Sequence, residues 1–149
     1  MRILLFWFGI AFTVHPTWLS AQVAVPMSQH DYERTGANLQ EWILNPSNVN
    51  ADKFGRIFSR SVDASVYALP LVIPNLNMSG QRRNVLFVAT MANTVYAFDA
   101  DDPTRVEPYW SRNLGTPAPG DSWIGPVHHG ILGTPFIDVP TGTLYVVTV

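Results

Sequence analysis

Cysteine is absent from the 149 residues, so no disulfide and no thiolate chemistry is available, and no metal site can use a sulfur ligand from cysteine. Charge is scarce too: 13% of residues are charged and the formal net charge is −2. The few basic side chains are scattered. With no stripe to neutralise phosphates, binding to nucleic acid is not expected. Long apolar runs are missing as well, apart from one at the N-terminus. A membrane span needs roughly 20 apolar residues, and none is expected beyond that first segment.

The N-terminal segment has the form of an export signal. Arg2 precedes an apolar run from Ile3 to Val14, then Pro16 and Leu19-Ser20-Ala21. A positive start, a short hydrophobic stretch and a small residue before Gln22 place a signal peptide at residues 1–21, cut after Ala21. An uncleaved anchor is the alternative. The expected location is secreted or periplasmic, with envelope or extracellular proteins as the expected partners.

What is plentiful is punctuation. Twelve prolines and ten glycines separate short apolar stretches, which favours many short strands over long helices. Residues 22–55 read as a turn-rich leader. It carries one short predicted helix from Asn48 to Phe54, capped by Ser47 and closed by Gly55 in a left-handed conformation. From Arg56 the hydrophobic period changes to two. Strands are predicted at Ile57–Val62, Val66–Ala68, Leu69–Ile73, Asn84–Thr90, Thr94–Asp99, Tyr109–Leu114, Ile131–Asp138 and Thr143–Val149. Met91-Ala92-Asn93 closes a hairpin, and Asp99 to Pro108 forms a polar turn.

A repeat organises these strands. Leu69-Pro70-Leu71-Val72-Ile73 with Leu86-Phe87-Val88-Ala89-Thr90 is one instance. Thr134-Pro135-Phe136-Ile137-Asp138 with Leu144-Tyr145-Val146-Val147-Thr148 is the second. The prolines at 70 and 135 lie 65 residues apart, and the strands opening at Leu86 and Leu144 lie 58 apart. The difference of seven is assigned to a longer first loop, Asn75 to Arg83. Such repetition suits the four-stranded blades of a β-propeller, each of which needs neighbours to bury its faces. The fold class read from this is all-β, an incomplete β-propeller over 56–149. Blade one covers about 69–114 and blade two begins at about 131–149. Residues 56–62 are assigned as a closing strand for a last blade. Blade two breaks off mid-strand, so the chain is expected to be a fragment of a longer propeller of about one and a half blades here.

Asn84-Val85-Leu86-Phe87-Val88-Ala89-Thr90 followed by Thr94-Val95-Tyr96-Ala97-Phe98-Asp99 resembles the core of a pyrroloquinoline-quinone-type, quinoprotein-like propeller repeat. Gly130-Ile131-Leu132-Gly133-Thr134-Pro135-Phe136-Ile137-Asp138 is similar to the opening of the next repeat. The leader, through Arg34-Thr35-Gly36-Ala37-Asn38, Leu44-Asn45-Pro46 and Phe54-Gly55, resembles secreted bacterial members. Family blades close with an Ala-x-Asp-x-x-Thr-Gly turn and a later docking tryptophan. Ala97, Asp99 and Trp110 fit that outline, while Asp102-Pro103-Thr104-Arg105 replaces the Thr-Gly turn.

The resemblance implies two functional classes. Dehydrogenases of the family hold pyrroloquinoline quinone and calcium in the central funnel, with an acidic base, carboxylate or amide calcium ligands, an arginine and commonly a disulfide ring between two adjacent cysteines; this chain has no cysteine. Other members are non-catalytic scaffolds, including an outer-membrane assembly propeller. With no catalytic set visible, a binding or scaffold module is the expected function, and the N-terminal part of a quinone-dependent dehydrogenase is the alternative. Trp123, His128 and His129 are the candidate ligand-binding residues, in the loop before blade two. A planar side chain can stack on a flat ligand, and paired histidines can donate, accept or ligate. Ordinary loop packing is the competing reading for all three. Asp99, Asp101 and Asp102 do not match a calcium loop, because Thr104 stands where the glycine is needed and Trp110 where the glutamate is. A solvated turn capped by aspartates is expected there, and no metal site is assigned. Asn77-Met78-Ser79 matches an N-glycosylation acceptor.

Overall fold

A computed structural model describes residues 23–119 and 128–149. Residues 1–21, the expected signal peptide, and Trp123 lie outside the described residues. The chain is all-β, and no helix among the described residues is long and apolar enough to cross a membrane.

The first unit is a four-stranded antiparallel meander: β1 (Leu71–Met78), β2 (Gln81–Ala89), β3 (Thr94–Asp99) and β4 (Trp110–Asn113), in sheet order β1-β2-β3-β4. Strand period decides its faces. Leu71, Ile73, Val85, Phe87, Ala89, Val95 and Ala97 share one side, all buried. Thr90, Thr94 and Phe98 lie on the other side and are also buried, with Leu86 and Tyr96 half-buried there. Two apolar faces on one strand mark a sheet covered on both sides.

The second unit is the hairpin β7 (Phe136–Asp138) and β8 (Thr143–Tyr145). A small ribbon, β5 (Ala118–Pro119) with β6 (His128–His129), stands between the units in sequence. The hairpin stacks on the first sheet. Ile137 joins the cluster of Leu71, Ile73, Val85, Phe87 and Ala97, with Leu144 packed against it. Ile131 joins Ala68, Ala89 and Val95, with Leu144 and Val146 alongside. Trp110 on β4 lies on the same face, its ring 6.0 Å from that of Phe87.

The two hairpins share one register. In the first, Leu71 pairs with Phe87, Val72 with Leu86 and Ile73 with Val85. In the second, Phe136 pairs with Tyr145, Ile137 with Leu144 and Asp138 with Thr143. Each inner-strand residue is displaced by 65 and each partner by 58, the offsets found in the sequence. A slip of one residue would turn every side chain to the wrong face, so the agreement is a constraint on both sequences. The leader ties the inner strands at equivalent positions: Val25 bridges Val72, and Pro26 C=O accepts Ile137 N–H at 2.9 Å.

Several sequence expectations are corrected. Asn48–Phe54 is not a helix but a pair of turns, with Asn45 C=O accepting Asn48 and Val49 N–H, and Asn50 C=O accepting Lys53 and Phe54 N–H. Asparagine side chains compete for the backbone: Asn45 Oδ1 accepts Ser47 N–H, Asn48 Oδ1 accepts Asn45 N–H, and Asn50 Oδ1 accepts Asp52 N–H. Gly55 is not left-handed. The expected loop Asn75–Arg83 is instead hairpin arm. A register shift between Ile73 and Leu76, with Asn75 at φ 54°, carries β1 past Pro74. The arm closes at Ser79-Gly80, both at positive φ, a two-residue turn that suits strand twist. Ile57–Val62 and Val66–Ala68 form no ladder among the described residues. Ladder pairing is also shorter than expected in the second unit, beginning at Phe136 and ending at Tyr145.

Candidate functional site

The sheet has two polar ends. At one, the β2–β3 turn Met91–Asn93 is where the rest of the chain converges. Thr90 N–H donates to Thr94 C=O at 2.9 Å and Asn93 N–H to Thr90 C=O at 3.1 Å. Asn93 takes φ 59°, a conformation asparagine accepts more readily than most residues. Asp63, from the segment entering the sheet, receives Thr90 Oγ1–H at 2.8 Å on one carboxylate oxygen and Thr94 Oγ1–H at 2.6 Å on the other. Met91 N–H donates to Ser65 C=O at 2.9 Å. From the opposite side, Gly130 lies so close to Met91 C=O that a Cβ has no room, and Ile131 N–H donates to Thr90 C=O at 3.3 Å.

Asn93 is 2% exposed, and its Nδ2–H donates to Val149 C=O at 3.3 Å. Ala118 N–H reaches the same carbonyl at 3.0 Å, which anchors the β5–β6 ribbon to the turn. Burial, reinforced by the nearby Asp63 carboxylate, raises the Tyr96 hydroxyl above its ordinary value. The carboxylate that dominates this end is thus engaged by two hydroxyl donors and acts as a latch. Asp63→Ala should lower stability by about 1–3 kcal/mol, because it leaves the buried Thr90 and Thr94 hydroxyls without an acceptor. Urea denaturation checks this; an unchanged midpoint would show the latch to be idle.

The histidines fall beside that turn. Ala118 pairs with His129 and Pro119 with His128, and His129 is half-buried. The structure brings this pair next to the Met91–Asn93 hub through Val149, but gathers no third ligand. Among the described residues no group of three histidine, aspartate or glutamate side chains is placed to hold a metal.

At the other end the aspartates form the capped turn expected from sequence. Asp99 Oδ1 accepts the N–H groups of Asp101 and Asp102, both at 2.8 Å, and Asp102 Oδ1 accepts Thr104 N–H at 2.8 Å. Tyr109 O–H donates to the second Asp99 oxygen, and Arg83 stands 3.9 Å from it. The Arg83 and Arg105 guanidiniums lie 5.3 and 4.4 Å from the Tyr109 ring centroid. Burial works to raise the Asp99 carboxyl, but the Tyr109 hydroxyl, the two backbone N–H groups and Arg83 together hold it below its ordinary 3.8. Burial and the Asp99 carboxylate raise Tyr109 above 10.0.

The signs give a plateau. Asp99 has a depressed folded value, so its contribution is complete above 3.8 and is lost as pH falls through that folded value. Tyr109 has a raised one, so its contribution is complete below 10.0 and is lost as pH rises through it. Tyr109→Phe should therefore lower the plateau and soften both limbs of a stability–pH curve. Limbs identical to those of the parent chain would contradict the assignment.

Sequence reasoning missed Asp63 and Gly130. Neither has a local signal, since each acts on a residue 27 or more positions away. No family model matches the chain, and neither the curated proteins nor the solved structures provide a match.

Proposed function

We propose that the chain is a secreted, quinoprotein-like β-propeller repeat protein acting as a binding or scaffold module. The observation that carries this is the shared register: two hairpins that pair equivalent positions at constant offsets, stacked face to face. Stacked β-units of one design are how repeat architectures bury faces that a single unit leaves open. The polar ends support binding or scaffolding over catalysis. The Asp63 carboxylate is engaged by two hydroxyls and the Asp99 carboxylate by a hydroxyl and two backbone N–H groups, which fits a structural role for both. The N-terminal segment supports export, with Gln22 as the first residue of the mature chain.

Titration with pyrroloquinoline quinone and calcium, followed by dye reduction with alcohols and sugars, tests the choice. The expected result is neither binding nor turnover. Saturable quinone binding with substrate-dependent dye reduction would move the reading to the N-terminal part of a quinone-dependent dehydrogenase. Mass spectrometry of the protein exported from a bacterial host tests the leader, with a mature chain beginning at Gln22 expected and an intact residue 1–21 segment in the membrane fraction contradicting it.

A further inference from the structure

The two units share a register but not a length. Between Ile73 and Val85 unit one carries Pro74–Asn84, eleven residues, where unit two carries the four of Val139–Gly142 between Asp138 and Thr143. The excess of seven is the difference between the 65 and 58 offsets, and it builds a hairpin arm. Leu76 pairs with Arg83, Asn77 with Arg82 and Met78 with Gln81, while β3 pairs with β2 only from Val85 onward, so the arm runs past the end of β3. Stacking needs only what the copies have in common. An insertion confined to one copy falls on a loop at one face of the array, and that is often the binding face.

Between the arm and the Val139–Gly142 turn lies a cleft of about 490 Å³, within the size range of small-molecule sites. Pro74 and Leu76 give it one apolar wall, and Val139 and Pro140 the other. Its polar lining on the arm side is Asn75, Asn77 and Arg82. The bulge between Ile73 and Leu76, with Asn75 at φ 54°, takes Asn75 out of the ladder. Asn75 C=O there accepts Arg82 Nη1–H at 2.9 Å, which fixes one end of the guanidinium. The remaining Nε and Nη2 edge is the one that takes a carboxylate through two parallel hydrogen bonds. No carboxylate lines the cleft, and the salt bridge nearest in sequence, Arg83 to Asp99, belongs to the next residue. Asp138, just before the unit-two turn, is taken up by Thr141 Oγ1–H at 2.7 Å. Asn77 Oδ1 accepts Gly80 N–H at 3.0 Å, so what that amide has left to offer is its Nδ2–H donors.

We propose that this cleft binds a small organic carboxylate with an aliphatic body. The carboxylate sits on the Nε and Nη2 edge of Arg82, beside the Asn75 and Asn77 amides, and the aliphatic part lies against Pro74, Leu76, Val139 and Pro140. A bare inorganic anion would leave the apolar walls unused, and a neutral apolar molecule would leave the guanidinium unused. This deepens the binding-module reading, and it rests on the repeat only in treating the arm as an insertion.

Hexanoate is the probe, with hexanamide as its neutral counterpart and inorganic phosphate as the bare anion, each read by saturation-transfer NMR or competition on the intact chain. Hexanoate should bind saturably, and about ten-fold or more tightly than either comparison compound. R82Q should weaken hexanoate by about ten-fold or more. R112Q, the same charge change on β4, should leave it unchanged. No saturation by hexanoate, an equal loss in both variants, or phosphate binding as tightly as hexanoate would each overturn the proposal. Replacing Pro74–Asn84 with the Val-Pro-Thr-Gly turn of unit two separates this from the repeat reading. The repeat requires the shortened chain to keep slow-exchanging amides where Leu71 pairs with Phe87, and the proposal requires it to lose hexanoate. A shortened chain that folds and still binds hexanoate overturns the proposal alone. One without protected amides in β1 and β2 counts against the repeat reading, and R82Q in the intact chain still decides the site.

Discussion

Gly130→Ala should be the most damaging glycine-to-alanine substitution among the described residues, at roughly 3 kcal/mol, because overpacking against backbone leaves no flexible neighbour to yield. An added Cβ would sit inside the van der Waals shell of the Met91 carbonyl and 2.9 Å from the Asn93 nitrogen. Neither atom belongs to a side chain that can rotate away. Relief requires unit two to move off unit one, which also breaks the Ile131 N–H to Thr90 C=O bond. Gly133→Ala, three residues on, meets nothing within 4 Å and should be neutral to within about 0.5 kcal/mol. Denaturant titration of the two variants side by side checks the contrast; equal effects would mean that the units do not meet at this point.

The second large effect divides the two faces of one hairpin. Ile137 is 6% exposed and belongs to the core cluster between the units. Ile137→Ala should cost about 2–4 kcal/mol, from lost transfer energy and the cavity left behind. Tyr145, on the opposite face, is 55% exposed, and Tyr145→Ala should cost well under half as much. A hairpin packed the other way round would reverse this order. Stability measured by urea denaturation therefore reads which face is inside.

The legible parts of the fold were those where one local signal decided the outcome. β3 runs from Thr94 to Asp99 as expected, since an apolar stretch is bounded by the Met91–Asn93 turn and the aspartate turn. The aspartates behave as turn caps, and Trp110 lies on the face that unit two covers. The repeat offsets were visible as well, and they set the register of both hairpins. Where two local preferences competed, pattern alone failed. Proline and asparagine at 74 and 75 argued for a loop, but a bulge let the strand continue and pair Leu76 with Arg83. Within 48–54 the Asn50 side chain took Asp52 N–H, which a helix would give to Asn48 C=O. The contacts of the candidate site were the least legible. Asp63 on Thr90 and Thr94, and Gly130 on Met91, depend on the stacking of elements distant in sequence, and no composition or period encodes them.

Segment 57–64 illustrates the difference between pattern and pairing. Its exposure alternates, with Phe58, Arg60, Val62 and Ala64 half-buried and the residues between them exposed, as a strand would show. It nevertheless pairs with no strand among the described residues. The period-two reading matches the alternation of exposure, but no ladder forms among the described residues. Its role as a closing strand remains part of the propeller proposal.

Oxidative cross-linking in this cysteine-free chain tests the shared register most directly. With no native thiol to compete, paired cysteines report only the positions into which they are placed. F136C with Y145C, and D138C with T143C, should close rapidly, as the 65 and 58 offsets from Leu71–Phe87 and Ile73–Val85 require. The slipped pairs F136C with L144C and F136C with V146C should remain reduced under the same conditions. Rapid closure of a slipped pair, with F136C–Y145C left open, would contradict the common register and with it the repeat on which the proposed function stands.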